Sequence, residues 1–474
     1  MNKDKFWIRI GVVAILLGVA SLAGVFVRSI QTRRAVVDSI IVAEPGSPKK
    51  PASELRAASQ NEPEVIVRFK PGVDLEEIKK LAALSNDRIE DKFESVSNLV
   101  AIDDLDDADA EEVAKQYSMM SDVVLYAEPN NIIELQPVDG IDEVNADRQP
   151  SASPNDPLFE DQWALNNSGQ EGGKENADIK ALKAWETTKG TQDVVVAVLD
   201  TGVDYTHTDL VANIWHRPDN IPAYIDDELG AIDDSIGFNA DANTGDPMDD
   251  NGHGTHCAGI IGAEGDNGEG IAGVNWKVEI MPLKFLSAGG FGSTKNAIEA
   301  INYAIDRKKK GVNVRIISAS WGSTLASKAL EDAIRAAGEQ GILFVAAAGN
   351  SSTDNDRRPH YPSNYDLPNV ISVAALDRND QLASFSNFGP KTVHIAAPGK
   401  EIVSTWLSGQ FREASGTSMA TPQVSGVAAL ILAANPDLDV AGLREKILKS
   451  ADSIDSLAGK VENGAKLNAA NALE

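Results

Sequence analysis

The chain holds one cysteine, Cys257, in 474 residues. No intramolecular disulfide can form, so stability must come from core burial or bound metal. Positive charge is also scarce: 43 Lys and Arg stand against 71 Asp and Glu, a formal charge of -28. Such a surface repels phosphate backbones and anionic lipid, which argues against a nucleic-acid partner. It suits solubility outside the cell and offers oxygen ligands to divalent cations. Internal repeats are lacking, and the length exceeds what one compact core serves, so two or more folded units are expected.

One long uncharged run is present, Ile10 to Val27, preceded by Lys3, Lys5 and Arg9. It reads as an export signal, which places the protein outside the cell or in the cell envelope. Its length falls between a signal-peptide core and the roughly 20 residues that span a bilayer. Cleavage near Ser21 and Ala23 therefore stays open beside membrane attachment through 6–27, flanked by Arg28, Arg33 and Arg34. Segment 1–28 is the signal or anchor; 29–60 mixes Ser, Pro, Ala and charge without periodicity and reads as a flexible tether.

From Glu64 the pattern becomes strand (Val65, Ile66, Val67, Phe69), turn (Pro71, Gly72), and helix (Leu75, Ile78, Leu81 on one face). Strands near Arg88–Phe93 and Asn98–Ile102, a helix over Ala110–Met120 and a strand over Asp122–Ala127 complete a β-α-β-β-α-β order, a small ferredoxin-like α+β module at 61–136. Residues 137–155 are rich in Asp, Asn, Pro and Ser and read as an exposed linker that a protease can cut. Beyond Asp156 strands and helices alternate: strands at Val194–Leu199, Val278–Phe285, Val314–Ser320 and Ile342–Ala347, helices at Gly254–Gly262, Thr294–Lys309 and Leu325–Gln340. Continuous apolar strands such as Val194–Leu199 belong to a sheet covered on both faces, so 156–474 is expected to be a doubly wound α/β domain with a mainly parallel sheet.

Sites in such a sheet gather at the carboxyl ends of strands, and these ends carry unusual residues. Asp200 ends one strand, Asn350 another; His253 and Ser418 each open a helix. A serine hydroxyl needs a base to take its proton and a third group to fix the tautomer of that base, roles that Ser418, His253 and Asp200 can fill. The Asn350 amide and the backbone N–H of Ser418 can meet an oxyanion. Singly, an Asp after a strand is a turn former and a Ser before a helix is a cap; their joint occurrence is what carries chemistry.

The segments Leu199-Asp200-Thr201-Gly202, Asn251-Gly252-His253-Gly254-Thr255-His256, Ala347-Ala348-Gly349-Asn350 and Ser415-Gly416-Thr417-Ser418-Met419-Ala420-Thr421-Pro422 resemble the subtilisin family of serine proteases, in its order Asp, His, Ser. Asp156-Pro157-Leu158-Phe159 and Gln162-Trp163 resemble the start of its mature enzymes, and the module ending in Tyr126-Ala127-Glu128-Pro129-Asn130 resembles its inhibitory propeptide. The resemblance implies a serine endopeptidase with no catalytic cofactor, acting on polypeptides through an acyl-enzyme and made as a self-processing zymogen inhibited by its own segment 61–136. It implies that Ser320, Trp321 and Gly322 pair with an extended substrate, and that Ala347, Ala348 and Gly349 wall the primary specificity pocket. Those walls are small and uncharged, which favours apolar P1 side chains; Ser351 to Pro359 departs from the commonest forms and leaves the pocket floor unassigned. Structural calcium is implied at Asp209, Asp266 and Asn267, with Gln162 as an N-terminal ligand, and a weaker calcium loop at Asp241–Asp250 with Asp246 and Asp249 as candidates. Cys257 matches a free cysteine of the proteinase K and thermitase branches and reads as packing rather than nucleophile.

Other classes fit less well. The spacing of His253 and His256 lacks the adjoining Glu of the helical zinc motif, and the first strand leads into no glycine-rich phosphate loop. An esterase of the α/β-hydrolase type would carry a Gly-x-Ser-x-Gly elbow and place its serine first. A peptide-holding scaffold that does not cut would lack a triad or oxyanion residue, and none is lacking.

Overall fold

A computed structural model describes residues 65–106, 108–145 and 154–474. The expected signal 1–28, the tether 29–60 and linker residues 146–153 lie outside the described residues.

The small module runs β1 (Val65–Phe69), α1 (Leu75–Leu84), β2 (Asp87–Lys92), β3 (Leu99–Asp104), α2 (Ala110–Met119) and β4 (Val124–Pro129). Its four strands lie in the order β2-β3-β1-β4, all pairs antiparallel, which is the arrangement expected from the sequence. Both helices start at an aspartate whose side chain accepts a first-turn N–H, Asp74 from Glu77 at 2.8 Å and Asp109 from Glu111 at 3.0 Å. Alternation along β1 divides the packing. Val65, Val67 and Phe69 join Ile78, Val113 and Tyr117 in the core of the module, whereas Ile66 joins Leu99, Ala101 and Phe93 in a core shared with the large domain.

The chain then enters β5 (Ile132–Glu134) and β6 (Asp139–Val144). Strand β6 lies in the segment read as an exposed linker: nearly all its side chains are exposed, and its backbone pairs antiparallel with a strand of the large domain, which the composition did not indicate.

In the large domain β7 (Gly190–Asp200) is followed by α3 (His253–Gly262), β8 (Lys277–Lys284), β9 (Phe291–Ser293), α4 (Thr294–Lys309), β10 (Val314–Ala319), α5 (Lys328–Glu339), β11 (Leu343–Ala347), β12 (Val370–Leu376) and β13 (Ile395–Pro398). The hairpin β14 (Ile402–Trp406) and β15 (Gln410–Ser415), the long helix α6 (Thr417–Ala434) and α7 (Val440–Lys449) complete it. Phe238–Asn239, β8, β7, β10, β11, β12, β13 and Ala465–Lys466 pair in parallel in that order; Asp452–Ser453 closes the sheet antiparallel. Val194 to Leu199 are buried on both faces, each of the valines and the leucine contributing about 1.5–3 kcal/mol. Helix α6 is apolar and long enough to cross a membrane, but it is buried in this core.

Because β8 lies on one side of β7 and β10 on the other, the chain reverses its direction of winding beside β7. The crevice at that switch opens at the carboxyl ends of the strands, where Asp200 and Ser320 sit.

Candidate active site

Asp200 and His253 come together because α3 can press against the end of β7. A Cβ on Gly254 would lie 2.0 Å from the Gly202 carbonyl and 3.1 Å from the Asp200 Cβ, so only glycine permits the approach. Gly252, which starts the helix at φ 110°, has no room either: a Cβ there would lie 2.4 Å from the Trp406 ring. His253 Nδ1 and Asp200 Oδ1 are 2.7 Å apart, both side chains buried. Asp200 Oδ1 also accepts the Thr201 N–H at 2.8 Å. With Nδ1–H directed at the carboxylate, Nε2 is the basic nitrogen, and among the described residues it has no hydrogen-bond partner.

Ser418 lies in the first turn of α6, where its N–H has no carbonyl within the helix to bond. Pro422, one turn on, removes the N–H that would bond the Ser418 carbonyl. That carbonyl is instead met by the Ser320 hydroxyl at 2.8 Å and the Cys257 thiol at 3.5 Å. The Ser418 hydroxyl donates to the Ser320 carbonyl at 3.0 Å, so it faces the end of β10. Cys257 is therefore a buried donor behind the site; burial pushes its thiol well up, away from nucleophilic character. His256 is structural as well. Its Nε2 donates to the Arg412 carbonyl at 3.0 Å, and burial lowers its pKa to about 3.

Asn350 has its amide fixed from one side. Its Oδ1 accepts the Thr417 N–H at 2.9 Å and the Thr417 hydroxyl at 2.8 Å, which leaves Nδ2 as the end that can meet an oxyanion.

Of the expected substrate residues, Ser320 reaches the Ser418 backbone, while the Trp321 ring is buried against Phe285 at 4.7 Å and donates Nε1–H to the Leu199 carbonyl. Ala347 ends β11, and Ala348 and Gly349 follow it, all buried. The pairing seen in the structure uses the opposite edge. Strand β5 runs antiparallel to β9, Gly292 opposite Ile133, and Leu135 N–H continues it to the Gly290 carbonyl at 2.8 Å. The reading from sequence missed β9; the run Gly289-Gly290-Phe291-Gly292 directly after a parallel strand is the signal that could have found it. Gln136 follows, its side chain against Asn350 and His360.

The expected calcium ligands separate into two groups. Asp209 is fully buried, accepts from Ile271 N–H and Asn267 Nδ2 at 2.9 Å each, and is pushed up to about 8 by burial. Asp156, which the sequence reading did not name as a ligand, is buried nearby and raised to about 6, and its charge adds to the shift of Asp209. Asp156 accepts from the N–H groups of Asp266 and Asn267 at 2.9 and 3.3 Å. Among the described residues neither Asp156 nor Asp209 pairs with a Lys or Arg. Two buried carboxylates beside an amide suit a hard divalent cation. Gln162 does not belong to this group: its amide exchanges both hydrogen bonds with the Ala272 backbone at 2.8 Å. Asp266 accepts the Asn155 N–H at 3.0 Å. In the second loop Asp249 is spent on Thr201, Asn251, Gly252 and Thr255, and so braces the start of α3. Asp246 accepts from the Tyr205 hydroxyl at 3.0 Å.

Comparison with known proteins agrees with this geometry. A sequence profile described as "Subtilase family" matches residues 191–471. A thermophilic serine proteinase of Bacillus sp. (strain AK1) is 34% identical over 417 residues, 86% of this chain and 87% of that protein. Thermitase of Thermoactinomyces vulgaris is 36% identical over 305 residues, 64% of this chain and 92% of that protein. A solved protease of Pseudoalteromonas arctica PAMC 21717 superposes with a TM-score of 0.56 at 28% identity, over 68% of this chain and 99% of that one. The chain belongs to the subtilase family of serine proteinases, hydrolases of peptide bonds.

Proposed function

We propose that this subtilase is an exported endopeptidase made as a self-processing zymogen, with Ser418 as nucleophile, His253 as base and Asp200 orienting it. Ser418 turns from the Ser320 carbonyl toward His253 Nε2, gives up its proton there and attacks the peptide carbonyl. Asn350 Nδ2 and the Ser418 N–H receive the developing oxyanion. His253 returns the proton to the leaving amine, and water then resolves the acyl-enzyme by the same route. The observation that carries this reading is the short contact between two buried side chains, Asp200 and His253, in a fold whose helix α6 carries Ser418 in its first turn.

Inhibition by segment 61–136 is supported by its own tail lying along β9 in the cleft. It is supported also by Glu128, which accepts from Ser327, Lys328 and Ala329 at the start of α5, and by Arg68 and Tyr126, which both reach Asp332. The similarity to the Bacillus sp. AK1 proteinase takes in 86% of the chain, more than 156–474 alone. Processing falls within 137–155, and a location outside the cell or in the cell envelope follows from the export segment, either cleaved or kept as an anchor. Asp209, Asp156 and Asn267 hold a structural calcium; Gln162 supports the loop from behind. In the cleft, Ala347, Ala348 and Gly349 favour an apolar stem on the P1 side chain.

Incubating purified full-length chain tests the zymogen reading, with chain length and caseinolytic activity followed together. Conversion to a product beginning within 137–155 is expected. Absence of conversion, with activity restored by an added protease, would count against self-processing.

A further inference from the structure

We propose that the primary specificity pocket selects glutamine at P1, because a buried histidine, His360, forms its floor. The inference rests on the cleft assignment above and adds to it the class of side chain that the pocket takes.

Pairing of β5 with β9 brings Leu135 to the Gly290 carbonyl and delivers the next residue, Gln136, to the pocket. Its carboxamide meets two groups of opposite character. Oε1 accepts the Asn350 N–H at 2.6 Å, and Nε2 stands 3.1 Å from His360 Nε2. The Asn350 N–H can only donate, so the amide oxygen must face it and the NH₂ must face the imidazole. His360 Nε2 is then the acceptor, and the ring proton sits on Nδ1.

The ring fills the space between the two walls. A Cβ on Gly322 would lie 2.2 Å from His360 Cε1, and one on Gly349 would lie 3.1 Å from Cδ2. The pocket is therefore short as well as polar at its end. His360 is 3% exposed, and burial lowers its pKa to about 4, so the ring is neutral at physiological pH. A glutamate would set a carboxylate oxygen against the lone pair of that ring. Leucine or methionine would leave Nε2 and the Asn350 N–H without partners, and phenylalanine would strike the ring. Glutamine fits all three conditions: an aliphatic stem against Ala347, Ala348 and Gly349, an acceptor toward Asn350 and a donor toward His360. Small walls alone had suggested an apolar P1 residue; the floor, which follows the segment Ser351–Pro359, changes the end of the pocket.

The test uses self-processed wild-type enzyme and fluorogenic peptides differing only at P1: Gln, Glu, Leu, Met and Phe. Active sites are titrated with a fluorophosphonate. Glutamine is expected to exceed each of the others by at least about tenfold in kcat/KM. His360→Leu, which keeps bulk and loses the acceptor, should erase the glutamine preference without admitting phenylalanine; His360→Gly should admit phenylalanine. Preference for Leu or Phe in the wild type, or an unchanged ranking in titratable His360→Leu enzyme, overturns the inference while the protease reading stands. No cleavage of any peptide would instead refute the reading on which it rests. Should the variants fail to fold, the wild-type ranking alone decides.

Discussion

Replacing Asp332 by alanine should loosen the inhibitory module without touching the chemistry. Asp332 lies on α5, 8% exposed at its side chain, and faces two residues of the module. The Tyr126 hydroxyl donates to it at 2.7 Å, and Arg68, 27% exposed, pairs with the same oxygen. A hydrogen bond to a charged group is worth about 1.5–3 kcal/mol, and a partly exposed ion pair adds about 1 kcal/mol after screening. Together these predict a loss of about 2.5–4 kcal/mol, or about 10²–10³-fold in the inhibition constant of the module. The assay adds segment 61–136 in trans to mature wild-type and Asp332→Ala enzymes and follows peptide hydrolysis. Uninhibited activity should be the same in both, and Tyr126→Phe in the module should cost much less against Asp332→Ala than against wild type. Inhibition constants within threefold of each other would refute the docking argument.

Inhibition should also weaken as pH rises. Buried Glu299, beside Asp226 and Lys295 and facing Asp91 and Glu94 of the module, holds its proton well above the usual 4.5 when the module is docked. Docking is thus favoured below that ordinary value and loses the advantage as pH climbs through the raised one; Glu299→Gln should flatten the profile of inhibition constant against pH. Asp209, pushed up from 3.8 to about 8, opposes folding of the calcium-free chain increasingly over that interval. The rise in Tm on adding calcium should therefore grow with pH and vanish in Asp209→Ala. Cys257→Ala should retain activity with a stability loss of about 1 kcal/mol, and iodoacetamide should leave the folded wild type active.

How much of this was legible depended on whether a signal was local. Val194–Leu199 announced a buried strand because six apolar residues in succession have few alternatives, and α4 spans Thr294–Lys309 as read. The four motifs were legible because each depends on glycines and caps adjacent in sequence, and the fold sets Asp200 against His253 and Asn350 against the start of α6. Strand β6 was not legible: Asp139–Val144 buries almost nothing, so its pairing with β15 leaves no period to read. The pairing of β5 with β9 joins segments far apart in the chain. Gln162 and Asp249 were implied as ligands by the resemblance alone, yet backbone groups and two threonine hydroxyls consume their polar atoms. Asp156 was in a segment already singled out, but only the fold sets it against Asp209. His360 belongs to the pocket through two glycines that follow β10 and β11, a relation no spacing encodes.

The most direct test of the central claim compares purified wild type with Ser418→Ala on casein, with and without a fluorophosphonate, while chain length is followed. Loss of casein cleavage, of labelling and of self-processing in Ser418→Ala, with folding intact by circular dichroism, is the predicted result. Cleavage that survived the substitution would contradict the assignment of Ser418 and of the site built around it.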